Sequence, residues 1–213
     1  AKEVLISSGS IERPIVFGNN DTPGVMLSSA AKEYLKVYGV LVGRKPLVFT
    51  NNDSGYETAI EFKKNGVDPI ILDTRKDPQS EIIDEAKNLG ISIKFSYVVV
   101  AAKGYKKVKS ADIAMISDNK DELGEIENIK CDCICVSGFW TPTIHLASQS
   151  GNKTKFNEDI DAFVPGTSKQ NEKTLGAANG IYNLDETLKS AFEAGHELSK
   201  KITNNDNKVS FPN

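Results

Sequence analysis

Long apolar runs are missing from this 213-residue sequence. None approaches the ~20 residues that a membrane-spanning helix needs, and no charged-then-apolar leader opens the chain, so a soluble, cytoplasmic protein with no membrane partner is expected. An excess of one charge is missing too. Lys and Arg number 26 against 29 Asp and Glu, a net charge of −3, and nothing draws the chain as a whole to nucleic acid. The one basic cluster, Lys103, Lys106, Lys107 and Lys109, reads as a solvated face, as charge runs usually do.

Histidine is scarce, with only His145 and His196. No G-x-S-x-G elbow surrounds Ser137 and no acid is placed to orient His145, so the pattern excludes a hydrolytic triad. His145, in an apolar helical segment, reads as structural; His196 lies near a helix C-terminus, where a cation is mildly favoured. The three cysteines, Cys131, Cys133 and Cys135, alternate in CDCICVSG, and in a strand such spacing puts all three on one face. Zinc knuckles use C-x-x-C in turns instead, so reduced thiols buried in a strand are expected and no metal. SGNKTKF has a G-K-T-like order but lacks the strand and the earlier glycine of a P-loop. Repeats and low-complexity segments are absent.

What is present centres on residues 45–75, KPLVFTNNDSGYETAIEFKKNGVDPIILDTR. A strand over 46–50, a tight turn, a helix over 55–65, a stop at Gly66 and a second strand over 69–73 outline one β-α-β nucleotide-binding unit. With 39% apolar residues the chain can bury a real core, as one generous domain or as one domain plus part of another. Upstream, a short strand is expected within residues 1–10. A helix follows, capped by Asp21 or Thr22, with Pro23 in its first turn and a stop at Gly39. Downstream come a helix over 78–89, a strand over 91–101, a break at Lys103-Gly104, further strand over 105–116, an acidic loop over 118–127 and a central strand over 131–136. A short strand near 162–164 and a long helix over 183–202 complete the chain. Two β-α-β units with an antiparallel excursion predict a three-layer, Rossmann-like α/β module.

Laid on G-x-G-x-x-G, the turn reads Thr50, Asn51, Asn52, Asp53, Ser54 and Gly55, so only the third glycine, needed for close helix-strand packing, survives. One reading is a modified phosphate loop in which Asn51, Asn52, Ser54 and backbone N–H groups hold a nucleotide; the other is a relic loop that keeps the fold and binds nothing. Asn52 replaces the glycine where backbone approaches pyrophosphate, and Asp53 adds negative charge, which favours the relic. Asp73, at the end of the second strand, holds the position of the acid that meets the adenosine ribose, and favours NAD over NADP; a purely local turn is the competing reading. Gly138, which follows the thiol strand, is a further candidate for cofactor binding. Gly176 and Ala177 precede the last helix, where small residues serve either close approach to a cofactor or helix packing.

Several separated stretches together resemble the alpha subunit of heterotetrameric sarcosine oxidase: SSGSIERPIVFGNNDTPGV, TNNDSGY, VSGFWTPTIHLASQSG, DAFVPGTS and GAANGIYNLDETLKSAFEAG. The resemblance implies a module of the pyridine-nucleotide-disulfide oxidoreductase type, two dinucleotide-binding folds with the second inserted into the first. On that mapping residues 1–39 and 137–203 are a partial outer FAD/NAD(P)-binding-type fold, 40–136 the inserted Rossmann-like domain and 204–213 a tail. The abrupt start, without methionine, agrees with a segment of a longer protein. The resemblance also implies NAD in the full-length subunit, held weakly or not at all by these residues, flavin in the partner subunit, and beta, gamma and delta subunits as partners. Its activity would be folate-linked oxidative demethylation of sarcosine, with no catalytic residue in this stretch. Two alternatives stand beside it: an alpha-type subunit of a dye-linked amino-acid or opine dehydrogenase, and a cofactor-free module that holds subunits together. Without the first β-α-β of the outer fold, Leu184, Leu188, Phe192 and Leu198 are expected to be partly uncovered, so that the chain self-associates or its last third is mobile.

Overall fold

Leu47 and Phe49 alternate with Val48 along the strand Pro46–Thr50, and each set meets its own buried layer. All five residues of the strand are buried, as a parallel strand covered on both faces requires. In the computed structural model, which describes residues 1–117 and 122–203, the strand is part of a five-stranded sheet in the order Val25–Leu27, Cys133–Ser137, Pro46–Thr50, Ile70–Asp73, Ser92–Phe95. Every pairing in it is parallel. The register sets Thr50 beside both Asp73 and Ser137, so three strand ends arrive at one level. The chain divides into two compact units, Glu12–Phe139 and Ala1–Ile11 with Trp140–Asn213; this sheet belongs to the first.

The helices Ser28–Tyr38, Ser54–Lys64 and Glu81–Asn88 cover one face, burying Ala31, Leu35, Tyr56, Ala59, Phe62 and Ile83 against Val48, Ile71, Cys133 and Cys135. On the other face lies a three-stranded antiparallel sheet of Tyr97–Lys103, Ser110–Met115 and Glu127–Ile129. Its Val99, Ala111 and Ile113 pack on Leu47, Phe49, Leu72 and Ile134, and Phe17 meets Phe49 edge-on at 5.9 Å. Each large apolar side chain buried in this way contributes about 1.5–3 kcal/mol. The three layers are therefore helix, parallel sheet and antiparallel sheet.

Three local expectations change. The helix expected to start at Pro23 begins at Ser28, because Val25–Leu27 pairs with Ile134–Val136 as the edge strand of the sheet. Its first turn is held by the buried Glu12 carboxylate, which accepts the Ser29 N–H at 2.9 Å and the Ser29 hydroxyl at 2.6 Å, favourable at a helix N-terminus. The helix does stop at Gly39, in the left-handed region with φ 64°. The single strand expected over 91–101 is two strands in two sheets, divided at Ser96 with φ 57°. Residues 105–109 are a loop rather than strand. Gly104 shapes it, since a Cβ there would lie 1.9 Å from the Lys107 carbonyl oxygen, while Val108 is fully buried and donates its N–H to the Pro23 carbonyl.

The thiols do not share a face. Cys133 and Cys135 join the helix-side core, whereas Cys131 joins the opposite one. The Asp132 carboxylate accepts the N–H groups of Arg44 and Lys45, both at 2.8 Å, and the regular alternation starts only after it, at Cys133. All three thiols are buried and free. Burial pushes the Cys131 thiol up to about 12, and the Cys133 hydrogen bond together with burial holds Cys135 well above the usual range. Thiolate is the reactive form. A disulfide-exchange reagent at mildly alkaline pH should therefore modify no cysteine of the native chain and all three after denaturation; rapid native labelling would contradict this packing.

In the second unit Val4–Ile6 runs parallel to Glu172–Thr174, and Lys153–Asn157 forms an antiparallel hairpin with Ala162–Thr167. Lys153–Asn157 was not expected as a strand; four of its five residues are exposed, so no apolar alternation marks it. A 3-10 turn, Gly176–Asn179, precedes the helix Leu184–Thr203. Along that helix Leu184 and Leu188 are exposed, Phe192 and Leu198 half-buried and Ala194 buried. The tail over 204–213 and the start of the acidic loop, 118–121, lie outside the described residues.

Candidate functional site

Thr50 ends the internal strand and Gly55 lies in the first turn of the helix that follows it. A Cβ on Gly55 would lie 2.6 Å from the Thr50 Cβ, so the surviving glycine performs the close-packing role of the third position in a dinucleotide loop. The two other glycine positions hold Thr50 and Asn52, and their side chains fill the turn. The Thr50 hydroxyl donates to the Asn52 carbonyl at 2.8 Å and accepts the Asn52 N–H at 3.1 Å.

Asn52 is 6% exposed and its amide is fully engaged. Its Nδ2 donates to Asn51 Oδ1 at 2.9 Å, to the Ser137 carbonyl at 3.0 Å and to Ser137 Oγ at 3.2 Å. Its Oδ1 accepts the Ser54 N–H at 2.9 Å and the Ser54 hydroxyl, while Ser54 Oγ and Ser137 Oγ stand 3.0 Å apart. A helix N-terminus normally offers unpaired N–H groups to an anion. Here the Ser54 N–H at that position already has a partner.

Asp73, beside Thr50, is fully buried and equally engaged. It accepts the Tyr56 hydroxyl at 2.7 Å and the Arg75 backbone N–H at 2.9 Å. The Arg75 guanidinium meets it through Nε at 3.1 and 3.2 Å and through Nη2 at 2.8 Å, and its Nη1 reaches Asp53 Oδ1 at 2.8 Å. Burial, and then the bond to Asp73, raises the Tyr56 phenol above its usual value. For Arg75 burial acts downward, but Asp73 and Asp53 together hold the guanidinium above its ordinary value.

Thr50, Asn51, Asn52, Asp53, Ser54, Gly55 and Asp73 thus form one cluster, and Gly138 follows Ser137 directly. Gly138 serves a chain crossing: its N–H donates to the Arg13 carbonyl at 2.7 Å, and a Cβ would meet that oxygen at 2.8 Å. Gly176 and Ala177 belong to the other unit, where a Cβ on Gly176 would lie 3.0 Å from the Thr187 methyl. Tyr56 and Ser137 are participants that the loop motif does not mark. Ser137 had a signal, since it directly follows an apolar run at the end of a covered strand.

Chemically the cluster is a closed polar network. Ser137 is bonded to Asn52 and Ser54 with no histidine beside it, and His145 is an exposed residue of the other unit, where an apolar, structural position was expected. Among the described residues no group of His, Cys, Asp or Glu is arranged to hold a metal, and no helix is long and apolar enough to cross a membrane. A dinucleotide does not fit the loop as it stands: the backbone N–H groups of Asn51, Asn52 and Ser54 and the ribose-facing acid have partners, and Asp53 carries negative charge to where pyrophosphate would lie.

No protein-family model matches the chain. It is 33% identical over 196 residues to the sarcosine oxidase alpha subunit of Corynebacterium sp. (strain P-1), an alignment that covers 92% of this chain and 20% of that protein. The corresponding subunit of Rhizobium meliloti (strain 1021) is 36% identical over 180 residues, 84% of this chain and 17% of that protein. The chain thus spans about a fifth of the length of these relatives. Among solved structures, thioredoxin reductase of Lactococcus lactis superposes with a TM-score of 0.72 at 15% identity over 96% of this chain and 67% of that one. Thioredoxin reductase of T. acidophilum gives 0.69 at 18%, over 92% and 62%. The fold is that of these thioredoxin reductases.

Proposed function

We propose, from its relatedness to sarcosine oxidase alpha subunits, that the chain is the dinucleotide-binding-type part of such a subunit in a flavoenzyme complex that oxidatively demethylates sarcosine. In this reading residues 40–136 are a Rossmann-like fold inserted into an outer fold to which 1–39 and 137–203 contribute. The chemistry lies elsewhere in the complex: flavin in a partner subunit, folate in another part of the alpha subunit, and the beta, gamma and delta subunits as partners. NAD is held by the full-length subunit outside the 50–55 loop.

The observation that carries the reading is a sequence relationship that extends over most of the chain rather than over the β-α-β outline alone. Substrate is tested on the assembled complex by following reduction of an electron acceptor with sarcosine, with proline and an opine as competitors. A preference for either competitor would favour the dye-linked amino-acid or opine dehydrogenase alternative.

The closed loop favours an accessory role, a module that supports subunit assembly without holding its own cofactor. Calorimetric titration of the 213-residue chain with NAD or FAD should give no binding tighter than about 1 mM, roughly −4 kcal/mol. Micromolar NAD binding by the isolated chain would overturn the accessory reading.

A further inference from the structure

We infer that Arg75 is the built-in occupant of the nucleotide crevice, and that its hold on Asp73, extended to Asp53, keeps out both NAD and NADP even where the loop is restored. The inference rests on reading residues 50–55 as a dinucleotide-type loop. In a working loop the strand-end acid accepts the ribose hydroxyls and the pyrophosphate lies against the N–H groups at the helix start. In this protein one side chain takes up both places. The guanidinium fork engages Asp73 through Nε and Nη2 and reaches Asp53 through Nη1 at 2.8 Å.

Three observations separate this bridge from an ordinary surface ion pair. Its anchor, Asp73, is fully buried, whereas the Asp53 and Arg75 side chains are 44% and 31% exposed, so the fork closes over a buried floor. The guanidinium also stands over the Tyr56 ring, 6.0 Å from its centroid, and Tyr56 bonds the same carboxylate. Finally, the charges do not cancel. One cation between two carboxylates leaves a net negative charge, which repels a pyrophosphate and leaves no unpaired cation for the 2′-phosphate of NADP. Arginine suits the task because its planar fork spans two carboxylates, which a lysine ammonium does not.

The test separates Arg75 from the loop. The 213-residue chain carrying Asn52→Gly and Asp53→Ala is compared with the same chain carrying Arg75→Gln as well, each titrated calorimetrically with ADP-ribose, NAD and NADP after circular dichroism has confirmed folding. The triple variant should bind ADP-ribose and NAD at least tenfold tighter than the double variant; equal affinities in two folded proteins would overturn the inference. A variant that does not fold is replaced by Arg75→Lys in the otherwise unchanged chain, which keeps a cation beside Asp73 and loses the fork. Hydrogen exchange at Asn51, Asn52 and Ser54 should then speed up at least tenfold while Leu47 and Val48 keep their protection, and unchanged loop protection would count against the bridge. Micromolar NAD binding by the unaltered chain would instead overturn the accessory reading itself.

Discussion

Arg75→Met should lower the stability of the chain by about 3 kcal/mol, because it leaves the Asp73 carboxylate buried without its cation. The Tyr56 hydroxyl and one backbone N–H would remain, but neither carries the balancing charge. For a chain of this size the loss corresponds to a fall in Tm of roughly 6–12 °C. Asp53→Ala is the control. It removes the other end of the bridge, whose side chain is 44% exposed, and should cost less than about 1 kcal/mol. Adding Asp73→Asn to Arg75→Met should restore part of the loss, since the stranded charge goes with it, and the double-mutant cycle reads the coupling directly. Urea denaturation of the five proteins, Asp73→Asn alone among them, decides the matter: equal costs for Arg75→Met and Asp53→Ala would mean that the bridge is a surface contact only.

Gly55→Val should cost about 3 kcal/mol, the upper end of the usual range for overpacking. The added Cβ would lie 2.6 Å from Thr50 Cβ and 2.7 Å from Thr50 Oγ1. Neither side can give way easily. Thr50 is fully buried at the end of an internal strand, and Tyr56 and Ala59 tie the helix to the helix-side core. Thr50→Gly made together with Gly55→Val should recover much of the loss, although glycine in a strand costs about 0.5–1 kcal/mol of its own. Gly66→Ala provides the contrast, because no atom lies within 4 Å of its added Cβ and only the φ of 78° opposes it, worth about 1–2 kcal/mol. A Gly55→Val protein whose urea midpoint matches the unaltered chain would show that the helix can lift from the strand freely.

The β-α-β unit was legible because its signals are local: an apolar strand, an amphipathic helix with a glycine stop, and an apolar strand ending on an acid. What was not legible depends on partners distant in sequence. Val25–Leu27 follows Pro23-Gly24, which locally resembles a helix start, and it becomes a strand only through Ile134–Val136. Ser96 looks like one more polar residue in an alternating run, yet its positive φ moves the chain from one sheet to another. The loop motif identified which glycines are missing and which one remains. It did not reveal what stands in their place, because the Asn52–Ser137 bonds join residues 85 apart in sequence. Arg75 lies only two residues after Asp73, but its engagement with two carboxylates is a fact of three dimensions.

The position of Cys133–Ser137 in the sheet also bears on how the chain is made. This strand slots between Pro46–Thr50 and Val25–Leu27, whose residues leave the ribosome roughly 90 and 110 positions earlier, so at typical elongation rates the slot stays open for roughly 5–20 s of synthesis. Throughout that interval Leu47, Val48 and Phe49 present an apolar strand with an unpaired edge, the kind of surface to which other nascent chains add. A ribosome that stalls before the codon for Cys133 therefore leaves a sheet in two pieces, and rapid passage through the loop codons that precede the strand, or a chaperone held on the open edge, protects the product.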